Sequence, residues 1–344
     1  MSLLDPKSAG NPVIEVRNLR TWFPVKQGLW GKTSHYIKAV DDVSLRVNAG
    51  EIVALVGESG CGKSTLGNSL AGLLPIQGGE LFFQGNSALK KNRLQRSVFQ
   101  NKVQVIFQDP YSCLNPKHTV YEILSFPLLY HNICSRREVK DTIASLLQQV
   151  GMPPDYMNRY PHSFSGGQRQ RISIARAIGM QPDLMICDEI VSSLDVSIQA
   201  QIVELLLELR KELGLALLFI AHDLSLVKTL SDRLYVMYLG KIVESGSTKD
   251  VLSHPCHPYT RALIDAVPTL NRNKPPAILE GEVPSFSSMP VGCSFQNRCI
   301  NRSDQCIKIP EISPSSDREV RCFHPLKKQV FDGAESKVWF SKSD

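Results

Sequence analysis

The run EIVALVGESGCGKSTL, residues 51–66, decides the reading of this chain. Five apolar residues, Ile52 to Val56, lead straight into Gly57, Gly60 and Gly62, and then into Lys63, Ser64 and Thr65. Gly57 to Ser64 fit the spacing G-x-x-x-x-G-K-[ST] of a phosphate loop. The surroundings fit as well, with a strand-like run before the loop and the helix-like STLGNSLAGLL after it. Glycines carry no Cβ, so backbone N–H groups can converge on phosphate oxygens, and the helix N-terminus adds a partial positive charge. Lys63 is suited to neutralise the β and γ phosphates and Ser64 to ligate Mg²⁺. The alternative is a glycine-rich turn before an ordinary helix, and the strand–loop–helix context argues against it.

Working outward, the segment from Val13 to about Gly246 alternates short apolar runs with helix-like stretches. EIVALVG, VQVIFQ, LMICDE and ALLFIAHD read as strands. Several are apolar almost throughout, as expected of strands covered on both faces. SIQAQIVELLLELRKELG and RREVKDTIASLLQQVG carry helical spacing, and Gly214 stops the first. RLYVMYLGKIVESG reads as a hairpin turning near Gly240. The pattern predicts an α/β domain with a largely parallel sheet. From Asn271 the texture changes to Pro, Ser, Asn and Gly, so a boundary is expected near Leu270, between a domain at 1–270 and an extension at 271–344. No internal repeat is visible, so the nucleotide-binding pattern occurs once.

LMICDE sets Asp188 and Glu189 at the end of a buried strand. In α/β folds ligands bind at the carboxyl ends of strands. Asp188 is therefore expected to hold Mg²⁺ through water, and Glu189 to orient and deprotonate an attacking water. Taken alone, such a pair is an ordinary strand terminus; the upstream loop gives it a site. SFSGGQRQRISIARAIGMQP, residues 163–182, opens a basic helix with a Ser-Gly-Gly-Gln turn. Its amides and helix dipole also suit an anion. Since the chain has its own phosphate loop, this second element is expected to serve a nucleotide held by a neighbouring subunit.

Gly57–Ser64, Gln108 of VIFQDP, FSGGQ, LMICDE, SSLD and IAHD follow one another in that order. Together they resemble the ATPase subunit of an ATP-binding-cassette (ABC) transporter, over about Val13 to Pro268. The resemblance implies a P-loop NTPase cassette with a RecA-like core, a β-subdomain and a helical subdomain at about 111–180, using ATP and Mg²⁺. It implies that Phe23, with Trp22 as its competitor, stacks on adenine. Gly57, Ser59, Gly60, Cys61, Gly62, Lys63, Ser64 and Thr65 would surround the phosphates. Ser64, Gln108 and Asp188 would face Mg²⁺, and Gln108, Glu189 and His222 would serve hydrolysis. Ser165, Gly166, Gly167 and Gln168 would close over a partner's ATP, and Asp195 would couple the two sites. Three positions depart from the family pattern: Ile190 replaces a proline, Ser193 an alanine and Phe164 a leucine. None removes a charged or donor group, so hydrolytic competence is expected.

The tail is similar to the C-terminal extension of oligopeptide and dipeptide importer ATPases, through HPYT (residues 257–260) and GEVPS (residues 281–285). Beyond them Cys293, Cys299, Cys306 and Cys322 form the pattern C-x₅-C-x₆-C-x₁₅-C. The spacing lacks the tight pair usual in zinc modules. The resemblance implies a [4Fe–4S] cluster; zinc and free thiols stay open. The other five cysteines are expected to be reduced thiols.

Composition limits the alternatives. The chain has 344 residues, 42% of them hydrophobic, and a net charge of +6. A core is assured, while the charge is too small to point to nucleic acid. No apolar run reaches the roughly 20 residues that span a bilayer. MSLLDPKSAGNP lacks the apolar core of a secretory signal. The resemblance implies a peripheral place on the cytoplasmic face of the cell membrane. It further implies a second ABC ATPase subunit (a paralogue or another copy), two transmembrane permease subunits and an extracytoplasmic peptide-binding protein. A soluble cassette ATPase acting on ribosomes or DNA, a redox module with a vestigial cassette, and a nickel importer are the competing readings.

Overall fold

A computed structural model describes residues 12–27, 32–89, 93–267, 284–286, 289–315 and 318–326. The strands, in chain order, are β1 (Ile14–Gln27), β2 (Lys32–Val47), β3 (Ile52–Val56), β4 (Gly78–Phe83), β5 (Asn86–Ser87), β6 (Val103–Ile106), β7 (Leu184–Asp188), β8 (Ala216–Ala221), β9 (Arg233–Tyr238), β10 (Lys241–Ser247), β11 (Ser313–Ser315) and β12 (Arg318–Val320). The helices are α1 (Lys63–Leu70), α2 (Arg93–Lys102), α3 (Pro110–Cys113), α4 (Val120–Tyr130), α5 (Val139–Gln149), α6 (Gly166–Gly179), α7 (Val196–Leu213), α8 (Leu224–Leu230), α9 (Thr248–Ser253) and α10 (Pro258–Asp265).

Two sheets result. One is antiparallel, in the order β2-β1-β4-β5. The larger runs β11-β12-β10-β9-β3-β8-β7-β6, and its members β9, β3, β8, β7 and β6 are parallel. Packing explains why β3 (IVALV) and β8 (ALLFIA) are apolar at every position. Successive side chains of a strand face opposite ways, and both faces here are covered. Val53 and Leu55 of β3 pack with Val16, Leu45, Leu66 and Leu70, from β1, β2 and α1. Ile52, Ala54 and Val56 pack the other way, into a core shared with Leu124, Ile172 and Leu206 of α4, α6 and α7.

Local signals bound the elements. Gly214 adopts φ 66° and closes α7. Thr119 and Glu122 form a capping box on α4, and Ser165 and Gln168 form one on α6. The hairpin turns at Gly240, φ 78°, where β9 and β10 pair antiparallel. Residues 110–179 carry α3 to α6, between β6 and β7.

The boundary expected near Leu270, and most of GEVPS, lie outside the described residues. The residues beyond are built onto the same sheet. β12 pairs with β10, Glu244 opposite Val320, and β11 pairs with β12. Glu244 is fully buried and accepts hydrogen bonds from the Cys256 and His257 amides, each at 2.9 Å, and from Arg318 Nε at 3.0 Å. A buried carboxylate must be paired in this way, because stripping it of water is costly. Cys293, Phe295 and Cys306 join the core that lies under β3. Among the described residues no helix is long and apolar enough to cross a membrane.

His257, the first residue of HPYT, is buried, and its Nδ1 caps α10 by accepting the Tyr259 amide at 3.0 Å. Burial lowers its pKa from 6.5 to about 3. The unfolded chain therefore binds a proton between these values that the folded chain refuses, and stability must fall as pH drops through that window. The slope approaches 1.4 kcal/mol per pH unit for one proton. Denaturant unfolding of the His257→Gln variant should show a flatter pH dependence between 6.5 and 4 than the parent chain. An unchanged slope would contradict a neutral, buried His257.

Candidate active site at the strand ends

The parallel strands deliver their side chains to one edge. The phosphate loop follows β3. Asp188 ends β7 and Glu189 follows it; His222 comes directly after β8, and Gln108 two residues after β6. These are the carboxyl ends of strands that share one direction.

The loop is shaped by what lies behind it. Gly62, φ 108°, is the N-cap of α1, and a Cβ there would sit 2.1 Å from the Ala39 carbonyl oxygen. At Gly57 a Cβ would meet the Met237 carbonyl oxygen at 2.2 Å. Gly60, φ 75°, faces open space. Two of the three glycines are thus demanded by the loop's close seat on β2 and β9, in addition to any approach by a phosphate. Cys61 is buried, its thiol pushed up by burial, so it offers the site only backbone. Ser59 and Ser64 are exposed, and Thr65 is half-buried in the first turn of α1.

Lys63 is 4% exposed. It donates to the Gly57 and Glu58 carbonyls at 2.9 and 3.0 Å and stands 3.8 Å from Glu189 Oε1. Ser64 Oγ donates to Asp188 Oδ1 at 3.0 Å. Asp188 is largely buried, and burial raises its pKa. The Ser64 bond opposes that rise, the Glu189 charge adds to it, and Lys63 opposes it. Glu189 takes φ 48°, rare for a residue with a side chain, and its amide bonds to the Ile220 carbonyl at 3.0 Å. That turn aims its carboxylate back over the strand ends. Gln108 Nε2 donates to Glu189 Oε2 at 3.1 Å, and His222 Nδ1 lies 3.7 Å from the same oxygen. Ile190, at the position of the family proline, is fully buried.

Lys63, Ser64, Gln108, Asp188, Glu189 and His222 therefore form one contact group. Other expected residues stand apart from it. Ser165 and Gln168 bond to each other across the start of α6. Gly167 is needed there by packing, since a Cβ would come within 2.5 Å of Ile198 Cγ2. Asp195 starts α7 without capping it by its side chain and is exposed. Phe23 is half-buried and pairs across the sheet with Ile37. Among the described residues no hydrogen bond or ion pair joins these to the Lys63–Glu189 group.

The same motifs are found in known proteins. The ABC transporter family matches residues 40–192, and the family described as oligopeptide/dipeptide transporter, C-terminal region, matches residues 243–306. The oligopeptide transport ATP-binding protein OppF of Escherichia coli is 46% identical over 319 residues, spanning 90% of this chain and 95% of that one. This chain belongs to the ATP-binding subunits of ABC transporters. The dipeptide transport ATP-binding protein DppF of Haemophilus influenzae is 41% identical, with 91% and 97% covered. Among solved structures, the ATP-binding cassette MJ0796, a dimer in a post-hydrolysis state bound to ADP and phosphate, matches with TM-score 0.60 at 25% identity, over 68% of this chain and 98% of that one. The cassette fold and an ATP-hydrolysing transporter subunit, both expected from the motifs, stand.

The iron–sulfur expectation does not. Cys293, Cys299, Cys306 and Cys322 do gather: each of the other three thiols acts on Cys322, and burial raises the thiols of Cys293, Cys299 and Cys322. Yet among the described residues no three His, Cys, Asp or Glu side chains are arranged to hold a metal ion. A [4Fe–4S] cluster is therefore not supported, and no step is assigned to one.

Glu58 fills one of the unspecified positions of the phosphate loop, so the motif gives it no role. Its amide donates to Tyr259 Oη at 2.9 Å, the hydrogen bond coming from the loop to α10. Its carboxylate is gripped by Arg298 at 2.7 and 3.0 Å.

The glycine geometry has a direct consequence. Gly62→Ala combines a strained φ with a backbone clash, whereas Gly60→Ala carries the strained φ alone, about 1–2 kcal/mol. Thermal unfolding should show the larger loss for Gly62→Ala. Equal losses would contradict the tight seat on Ala39.

Proposed function

We propose that this chain is the ATP-hydrolysing subunit that energises import of di- and oligopeptides, working in pairs on the cytoplasmic face of the membrane beside two permease subunits and an extracytoplasmic peptide-binding protein. The observation that carries the reading is the Lys63–Ser64–Asp188–Glu189–Gln108–His222 group, on a chain whose C-terminal region matches the oligopeptide/dipeptide transporter family. The relatives named for oligopeptide and dipeptide transport, alike over most of their length, support the substrate class. The second cassette is a paralogue or another copy of this chain.

In this reading the loop amides and Lys63 hold the β and γ phosphates. Ser64, Asp188 and Gln108 would hold Mg²⁺, their hydroxyl, carboxylate and amide oxygens matching the oxygen donors that this hard cation takes. When bound, the ion would supply neutralisation of charge that develops on the phosphates. Glu189 accepts the proton of the attacking water, Gln108 holds the Glu189 carboxylate in place, and His222 reaches the γ-phosphate. Adenine stacks on Phe23. Trp22 is the weaker candidate because Lys38 and Arg20 already sit over its ring, at 4.9 and 5.9 Å.

Ser165, Gly166, Gly167, Gln168 and Asp195 act on the ATP of the partner cassette. Their separation from the Lys63–Glu189 group, and the start of α6, where Ser165 is exposed and Gly166 and Gln168 are half-buried, support that role. One chain then supplies half of each of two pockets.

Glu189→Gln should retain ATP binding and abolish nearly all turnover, because the amide cannot take the proton. Wild-type hydrolysis by that variant in the assembled complex would contradict the assignment. Lys63→Ala should chiefly weaken ATP binding, read by direct titration. Uptake of labelled peptide by proteoliposomes holding the complete complex tests the whole reading. It should require ATP and stop with Glu189→Gln; ATP-independent uptake, or none for any peptide, would refute it.

A further inference from the structure

Glu58 is held from every side. Its carbonyl accepts from Lys63 Nζ at 3.0 Å and from the Cys61 amide at 3.3 Å. Its amide is taken by Tyr259 Oη, and its carboxylate receives both Arg298 Nη1 and Nη2. The carboxylate–guanidinium pair is two-pointed, the geometry in which arginine binds most strongly. It is also largely dry, the side chains being 5% and 22% exposed for Arg298 and Glu58.

Arg298 comes from the cysteine-rich extension, 240 residues away in sequence. Its seat is set by that extension. It ends a single 3₁₀ turn, Gln296–Arg298, between Cys293 and Cys299, and its amide bonds to the Phe295 carbonyl at 3.0 Å. Cys293 is in turn tied to the Cys306 carbonyl at 2.9 Å. Phe295 packs edge-on to Tyr238 of β9, with ring centroids 5.3 Å apart, and 5.4 Å from Tyr259 of α10. The extension, α10 and β9 thus meet behind the second residue of the phosphate loop.

We propose that Arg298 is a positioning residue of the ATP site: by pairing with Glu58 it cancels a negative charge beside the bound phosphates and fixes the carbonyl that orients Lys63, so the cysteine-rich extension sets the chain's affinity for MgATP. The inference rests on the reading of Gly57–Ser64 as the ATP site. Two effects follow from losing the arginine. The bare Glu58 carboxylate repels the triphosphate, and the loop's first turn loses its brace. The first effect is electrostatic, so removing the glutamate charge as well must reverse part of it. A merely structural arginine would show no such rescue.

The test is a titration of MgATP against the full-length chain, for the wild type and the variants Arg298→Ala, Glu58→Gln, Arg298→Ala/Glu58→Gln and Lys63→Ala. Thermal unfolding confirms that each is folded. Couplings of this kind change affinity about 2- to 30-fold, and Arg298→Ala should weaken binding within that range. The double variant should regain at least half of the loss on a logarithmic scale. Wild-type affinity for Arg298→Ala, beside a clear loss for Lys63→Ala, would overturn this inference alone. A double variant no better than Arg298→Ala would also overturn it. Wild-type affinity for Lys63→Ala would remove the ATP-site reading and this inference with it. Should Arg298→Ala fail to fold, Arg298→Gln decides the matter, since it keeps much of the side chain's length but neither the charge nor the fork. Weaker binding supports the proposal, and wild-type affinity overturns it.

Discussion

Parallel pairing of β9, β3, β8, β7 and β6 is the constraint on which the rest depends. Strands that run one way end on one edge, so residues from four separate stretches of sequence arrive together. The register is fixed by burial on both faces, because a shift of one residue would exchange two different cores. The reactive group therefore inherits its geometry from the apolar side chains that seat the strands beneath it. Glu189 shows the cost of the arrangement. Its left-handed backbone is held by the Ile220 carbonyl and by the fully buried Ile190 that follows.

Charge is handled by close pairing inside this frame. Lys63 is nearly buried and is satisfied by two carbonyls of its own loop, with Glu189 opposite. Asp188 is made harder to ionise by burial, and the Ser64 hydroxyl works against that. Elsewhere in the same sheet, on β10, Glu244 is fully buried and is met by two amides and Arg318. That knot fastens the extension to β10, and the Arg298–Glu58 pair fastens it to the loop. The extension is in this sense part of the cassette's own architecture.

Much of this was legible in the sequence. The strands around Asp188, His222 and Lys63 were visible because two-sided burial leaves unbroken apolar runs. The helix ends at Gly214 and Ser165 were visible because caps use a small set of residues. Less legible was anything that depends on contacts distant in sequence. The pattern G-x-x-x-x-G-K-[ST] accounts for its glycines by phosphate, but Gly57 and Gly62 also answer to the Met237 and Ala39 carbonyls, which no local motif reveals. Glu58 occupies an unspecified position of that motif, and Arg298 lies among cysteines that drew attention to metal chemistry instead. β11 and β12, which lie beyond the change of texture after Leu270, extend the cassette's sheet without an apolar run to announce them, because strand pairing needs only a free edge.

The central claim is that two cassettes must close around shared nucleotides before water can attack. ATP turnover per cassette, measured for the isolated full-length chain at concentrations where light scattering finds only monomer, and again for the chain in its detergent-extracted membrane complex, tests it most directly. The monomer should bind ATP but hydrolyse it far more slowly than the complex. Equal turnover in the two states would contradict the claim.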